Sequence, residues 1–195
     1  MKKLRVIKLI TFSICTFGFL LFTIDKVLAE RFFQTNNTWY EKIPANAKVI
    51  DNSNKYVQTI VDNSPLFYVN NGGYSVPVWY AKKDTPIVTV EVRSLVYGPI
   101  ARNLGWDKVP IPDEALPAMN EESCSGSGPT DGHMVVVSYD RRWAWDFYAA
   151  RKCDGKWSTH LIRKWDLATD GVLDPCGNLG WARMACVPLL HGLIT

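Results

Sequence analysis

Residues 131–148 constrain the fold of this chain more than any other stretch, because they predict two strands folded back on each other. The continuous apolar run 134–137 is typical of a strand that is buried on both faces. Residues 140–142, Asp-Arg-Arg, supply the turn. The second strand alternates, with Trp143, Trp145 and Phe147 on one face and Ala144, Asp146 and Tyr148 on the other. The stretch therefore predicts an antiparallel hairpin that carries a His, carboxylates and two Trp on one rigid element.

The first 29 residues have the three-part pattern of a secretory signal. A basic head precedes an apolar run over residues 9–24, and the small or aliphatic residues Val27 and Ala29 follow. This pattern predicts cleavage after Ala29. The alternative is a membrane anchor, but the run of 16 residues is shorter than the about 20 that a spanning helix needs. We therefore expect a secreted, periplasmic or envelope protein that meets the membrane only through an uncleaved signal.

Removing the signal changes the charge balance of the chain. The whole chain has 22 Lys+Arg and 19 Asp+Glu, of which residues 1–29 hold five basic residues and one acidic residue. The remaining 17 basic and 18 acidic residues leave a net charge of −1. A nearly neutral chain offers no general electrostatic attraction for nucleic acid, so we expect no nucleic-acid partner.

Four of the five cysteines lie in the predicted mature chain of about 166 residues, which is enough for one domain. An even number of cysteines behind an export signal predicts disulfides, and we favour Cys124 with Cys153 and Cys176 with Cys186. Two other pairings, or free thiols, stay open. The absence of a Cys-x-x-Cys pair and the scattered His residues argue against zinc, so we predict no metal and no cofactor.

The mature chain reads mainly as short strands separated by turns. A segment over 30–65 carries one short helix that begins near Asn52 or Ser53 and ends at the Asn-Ser-Pro of 63–65. Residues 66–195 predict a single β-sandwich or jelly-roll-like domain. Its strands lie near 66–69, 74–80, 87–92 and 157–166 besides the hairpin, and Pro77 limits one of them to a sheet edge. Residues 98–130 predict a long irregular loop.

Three motifs together resemble a group of secreted bacterial hypothetical proteins, over roughly residues 55–195. The motifs are Val109-Pro110-Ile111-Pro112 leading to Asp131-Gly132-His133, then Trp145-Asp146-Phe147-Tyr148-x-Ala150-Arg151, then Pro188-Leu189-Leu190-x-Gly192-Leu193-Ile194. The resemblance implies export and a β-rich domain, and it implies no established activity. Members of the group continue past the Gly-Leu-Ile segment into a strand with a further His, so a site that needs that His would be incomplete in this chain.

Asp131, His133 and Asp146 are the candidate catalytic residues. A carboxylate two residues from a His on a strand shares its face and can raise its basicity, as general acid/base catalysis requires. Asp146 with another carboxylate could form the pair that glycoside cleavage needs. The structural alternatives are a strand-start turn at Asp131–His133 and an ion pair of Asp146 with Arg151 or Arg163.

Aromatic residues near loops are the candidate ligand contacts, because flat rings stack on the apolar faces of sugars. This set comprises Trp106, Trp145, Trp157, Trp181 and the nearby Arg151. For Trp143 and Trp145, a place in the core is the competing interpretation. Three functions follow: a non-catalytic exported protein that binds a glycan or a cell-surface partner, a polysaccharide hydrolase or lyase that uses Asp131/His133 with Asp146, and a structural envelope protein.

Overall fold

The computed structural model describes residues 31–33, 40–64, 66, 75–118, 124, 131–171 and 187–191, and this part of the chain is mainly β. The helices are α1 (Ser53–Asn63) and α2 (Tyr97–Asn103). The strands are β1 (Val78–Tyr80), β2 (Ile87–Thr89), β3 (Glu91–Val92), β4 (Lys108–Pro110), β5 (Met134–Val137), β6 (Trp143–Tyr148), β7 (Arg151–Cys153), β8 (Lys156–Thr159) and β9 (Leu161–Asp166). The predicted signal at 1–29 and most of the predicted strand at 66–69 lie outside the described residues.

The predicted hairpin forms the middle of a four-stranded sheet with the order β1-β5-β6-β9. Strands β5 and β6 pair antiparallel, with Met134 opposite Phe147 and Val137 opposite Ala144. Strand β9 extends the sheet antiparallel to β6, and β1 pairs parallel to β5 at the other edge. The position of β1 agrees with the edge that Pro77 predicts, because proline cannot donate a ladder hydrogen bond.

Strand β5 is buried on both faces, which confirms the prediction from its continuous apolar run. Met134 and Val136 point into one hydrophobic cluster, the first core, together with Trp145 and Phe147 of β6. Val135 and Val137 point into a second core on the opposite face of the sheet. Burial of each such side chain stabilises the fold by about 1.5–3 kcal/mol. Side chains of this one strand therefore stabilise both cores.

Two smaller sheets cover the first core, one formed by β2 and β4 and one with the order β3-β8-β7. The predicted strands 87–92 and 157–166 are therefore each divided between sheets. Val90 lies at the first break and donates its amide to the carbonyl of Asp107 at 2.8 Å. His160 lies at the second break and donates to the carbonyl of Tyr148 at 3.0 Å. Hydrogen bonds to residues distant in sequence thus interrupt each strand that the composition predicts as continuous.

Helix α2 corrects the expectation of a single helix and of an irregular loop from residue 98. Its Gly98-Pro99 pair falls in the first helical turn, where the missing N–H of proline leaves no helical hydrogen bond unmade. The amide of Tyr97 donates to Ser94 Oγ at 3.1 Å, which supports this end of the helix. Strand β4 is a second regular element in the same segment, and its Val109 is fully buried.

Helix α1 confirms the predicted N-terminal helix, although it leaves its apolar side chains exposed. Asn52 precedes it in a left-handed conformation, with φ of 62°. Tyr56, Val57 and Ile60 are each more than half exposed. None of the described helices combines the length and the apolar character that crossing a bilayer would require.

One of the two favoured disulfides is present in the described part of the chain. Cys124 and Cys153 are bonded, with their Cα atoms 5.6 Å apart. The bond ties the segment before the hairpin to the end of β7. Cys176 and Cys186 lie outside the described residues.

Candidate functional site

The Asp131-Gly132-His133 motif packs its backbone against the segment that follows β6. Gly132 has a φ of +47°, and its carbonyl accepts a hydrogen bond from the amide of Ala150 at 3.0 Å. Asp131 is exposed, whereas His133 is half-buried. The Nδ1 atom of His133 lies 3.2 Å from the carbonyl oxygen of Phe147. Since a carbonyl only accepts, the tautomer with a protonated Nδ1 makes this a hydrogen bond, in which a main-chain group rather than Asp131 orients the ring.

Asp146 is buried on the face of the central sheet that carries the second core, where it accepts hydrogen bonds from two other segments. The indole N–H of Trp165 donates to Asp146 Oδ2 at 2.8 Å, and the amide of Leu189 donates to the same oxygen at 2.7 Å. Arg163 is the cross-strand partner of Asp146. Burial lowers the pKa of Arg163, and the Asp146 carboxylate opposes that lowering. The ion-pair interpretation of Asp146 therefore agrees with the electrostatics of the two residues.

The three candidate catalytic residues have separate surroundings. Within the described residues, neither Asp131 nor His133 forms a hydrogen bond or an ion pair with Asp146. The Asp146 side chain is only 1% exposed. The described residues also contain no group of three or more His, Cys, Asp or Glu arranged to hold a metal ion. A catalytic role for Asp131, His133 and Asp146 stays a prediction.

The candidate ligand-binding residues occupy different depths. Trp145 and Trp157 are buried in the first core. Trp106 packs on that core at its edge, with the Arg163 guanidinium 4.5 Å from its ring centroid. Arg151 is half-buried in β7, and it contributes to a lowered pKa of Arg93 after the larger effect of burial. Trp181 lies outside the described residues.

An open groove of about 480 Å³ lies beside the hairpin turn, and we call it the hairpin groove. Its walls come from the turn that follows β1, from β2 and β4, from the β5–β6 turn, and from β6 and β9. Its aromatic side chains are Tyr139, Trp143 and Trp145, and its charged side chains are Lys82, Lys83, Lys108, Lys164 and Asp140. Of these, sequence reasoning named only Trp145 as a ligand contact, and it missed all four lysines.

The tight turn of the hairpin holds Trp143 at the groove. Ser138 Oγ accepts the amide of Trp143 at 2.9 Å and donates to Asp140 Oδ1 at 2.6 Å. The same carboxylate oxygen accepts the amide of Arg142 at 3.1 Å. These hydrogen bonds fix the backbone at the first residue of β6. They therefore hold the half-buried Trp143 ring in a defined position. They also lower the pKa of Asp140, with the Ser138 hydroxyl as the largest cause.

Lys164 joins the aromatic and the charged parts of the groove. Its Nζ atom lies 4.0 Å from the ring centroid of Trp143 and 5.1 Å from that of Trp145. An ammonium over an aromatic face is attracted by the ring quadrupole, which favours this packed position. Burial lowers the pKa of Lys164, and the nearby carboxylates of Asp140 and Asp166 oppose that lowering.

The replacement Ser138→Ala is expected to raise the pKa of Asp140 toward its ordinary value of 3.8, because it removes the hydroxyl that stabilises the carboxylate. The wild-type carboxylate contributes stability above the ordinary pKa, and that contribution is lost as the pH falls through the lowered pKa of the folded state. An NMR titration of the Asp140 carboxyl measures the change. Ser158→Ala on β8 is the control and should leave this pKa unchanged. Equal Asp140 pKa values in wild type and Ser138→Ala would contradict the assignment.

Comparisons with protein-family models, with curated proteins and with solved structures find no match to this chain. The candidate function therefore depends on the residues of the chain and on their arrangement.

Proposed function

We propose that this protein is an exported, non-catalytic β-sandwich-like protein that binds a glycan at the hairpin groove. The observation that carries the proposal is the half-buried Trp143 ring in an open groove that also holds Tyr139 and four lysines. Pyranose rings present apolar C–H faces that stack on aromatic rings, and their hydroxyl oxygens accept hydrogen bonds from ammonium groups. The groove offers both kinds of contact within one surface.

Two further features support export and the sandwich-like architecture. The Cys124–Cys153 disulfide is compatible with an oxidising, extracytoplasmic location, and it agrees with the signal pattern of residues 1–29. The central sheet is covered by hydrophobic cores on both faces. A rigid sheet of this kind supports a preformed binding surface at its edge turns, where side chains are accessible.

The binding function is favoured over a hydrolase or lyase by the surroundings of Asp146. A general acid or nucleophile has to reach the scissile bond, whereas the Asp146 carboxylate is buried and accepts two hydrogen bonds from the protein. A purely structural envelope role does not require an open groove lined by aromatic side chains. A cell-surface protein partner would use the same groove, and the assay below separates it from a glycan.

Tyr139→Ala and Trp143→Ala are each expected to weaken glycan binding by about tenfold, because each removes one stacking surface. The oxidised full-length mature protein is first screened on a glycan array, and the affinity for each bound glycan is then measured by calorimetry. The Tyr139 side chain is 61% exposed, so its removal should leave the folding free energy nearly unchanged.

Tyr56→Ala is the matched control, because Tyr56 is a similarly exposed tyrosine on α1, outside the groove residues. It should bind like the wild type. Glycan binding that survives both groove substitutions would contradict the proposed site, and a failure of every glycan to bind would contradict the proposed function. Release of shortened sugars that His133→Ala abolishes would favour the hydrolase or lyase instead.

A further inference from the structure

The hairpin groove has a strong local excess of positive charge. Among the described residues that line it, four carry ammonium groups, Lys82, Lys83, Lys108 and Lys164, and one, Asp140, carries a carboxylate. That carboxylate already accepts the hydroxyl of Ser138 and the amide of Arg142. Lys82, Lys83 and Lys108 are exposed, so they can reach a ligand without a rearrangement of the core. Lys108 Nζ also donates to Thr89 Oγ1 at 2.6 Å and lies 3.8 Å from Asp107 Oδ2, so it has N–H donors to share rather than a wholly unpaired charge.

The excess is local, because a neighbouring hollow has the opposite charge. This hollow of about 220 Å³ shares Lys82 and Thr85 with the groove, and its carboxylates are Asp84, Asp113 and Glu114. An anionic chain is attracted to the lysines and is repelled by these acids. The two surfaces together would therefore direct an extended acidic ligand out of the groove on the side away from the acidic hollow.

The positive charge is also coupled to the stacking surface. Lys164 Nζ lies over the rings of Trp143 and Trp145, so an anion that pairs with this ammonium lies beside the aromatic side chains. A ligand that combines a flat apolar face with an oxygen anion matches these groups.

From this arrangement we propose that the hairpin groove takes an acidic glycan, one whose sugar rings carry carboxylates, with Lys82, Lys83, Lys108 and Lys164 as the contacts that select for the charge. The inference rests on the proposed glycan-binding function and adds the chemical class of the ligand. An extended acidic sugar chain presents one anion per charged ring, so several lysines can be engaged at once. Charge selection by separate lysines then adds up along the chain, as in multivalent binding.

The test compares an oligosaccharide of uronic acids with the same oligosaccharide after chemical reduction of its carboxyl groups to alcohols. The oxidised mature protein should bind the acid form at least about tenfold more tightly at low salt. The preference should shrink as the salt is raised to 1 M, where the Debye length falls to about 3 Å. Equal affinity for both forms would overturn the charge inference while leaving glycan binding intact. Binding of neither form would also overturn the charge inference, and the proposed function itself would then fail only if no other glycan on the array binds.

The double replacement Lys82→Gln/Lys83→Gln should reduce the affinity for the acid form by about tenfold and that for the reduced form much less, because glutamine keeps an N–H donor but carries no charge. Lys156→Gln is the control, because Lys156 is an exposed strand lysine outside the groove. An equal loss in the double and the control variant would contradict the assignment of the groove lysines. A single-stranded oligonucleotide that binds more tightly than the uronic acid oligosaccharide would also overturn the inference, in favour of a nucleic-acid site.

Discussion

Gly132→Ala is expected to destabilise the fold by about 2–5 kcal/mol, through backbone strain and steric overlap together. The φ of +47° at Gly132 lies in the left-handed region, which costs a residue with a Cβ atom about 1–2 kcal/mol. A Cβ atom there would also lie 2.8 Å from the amide nitrogen of Ala150 and 2.9 Å from the Cα atom of Ala149. Both are backbone atoms, so no side-chain rotation relieves the overlap. Chemical denaturation measures the loss.

Gly155→Ala separates the two contributions to this effect. Gly155 has a φ of +74° in the turn between β7 and β8, and a Cβ atom added there would have nothing within 4 Å. This variant should therefore show only the backbone cost of about 1–2 kcal/mol. The excess loss in Gly132→Ala then measures how tightly the start of β5 packs on residues 149–150. Equal losses in the two variants would contradict the close packing.

The hairpin could be predicted from the sequence because its determinants are local. A continuous apolar run, a polar turn and an alternating strand lie within 18 residues, and each agrees with the same antiparallel pair. The pattern also identifies which face of β6 each side chain occupies. The Trp145 and Phe147 side chains lie in the first core, and Ala144 lies in the second. Consistency among neighbouring signals is what makes such a segment predictable.

The sheet switches and the groove depend on contacts that no local pattern contains. The break at Val90 arises from its hydrogen bond to Asp107, and the groove joins Lys82 and Lys108 to Lys164 through the packing of separate elements. The burial of Asp146 likewise depends on residues that are distant in the sequence. The sequence makes Asp146 a candidate for glycoside cleavage, but Trp165 and Leu189, which donate to its carboxylate, are 19 and 43 residues away along the chain.

Asp146→Ala is expected to lower the free energy of unfolding by about 3–5 kcal/mol, because it removes a buried acceptor and the charge beside a buried cation. The Trp165 indole and the Leu189 amide both lose the oxygen to which they donate. The Arg163 guanidinium loses the carboxylate that offsets its burial. Segment 187–191 should also detach more easily, so its amide hydrogens should exchange faster with solvent.

Asp146→Asn and Trp165→Phe divide this effect into its parts. The asparagine keeps one acceptor oxygen but no charge, so its loss should be smaller than that of Asp146→Ala. Trp165→Phe removes one donor, and a double-mutant cycle with Asp146→Ala should give a coupling of about 0.5–3 kcal/mol for residues in contact. A fold that stays stable in Asp146→Ala would contradict the anchoring role. If that stable variant also lost a sugar-cleaving activity, the carboxylate would act in catalysis rather than in holding the second core together.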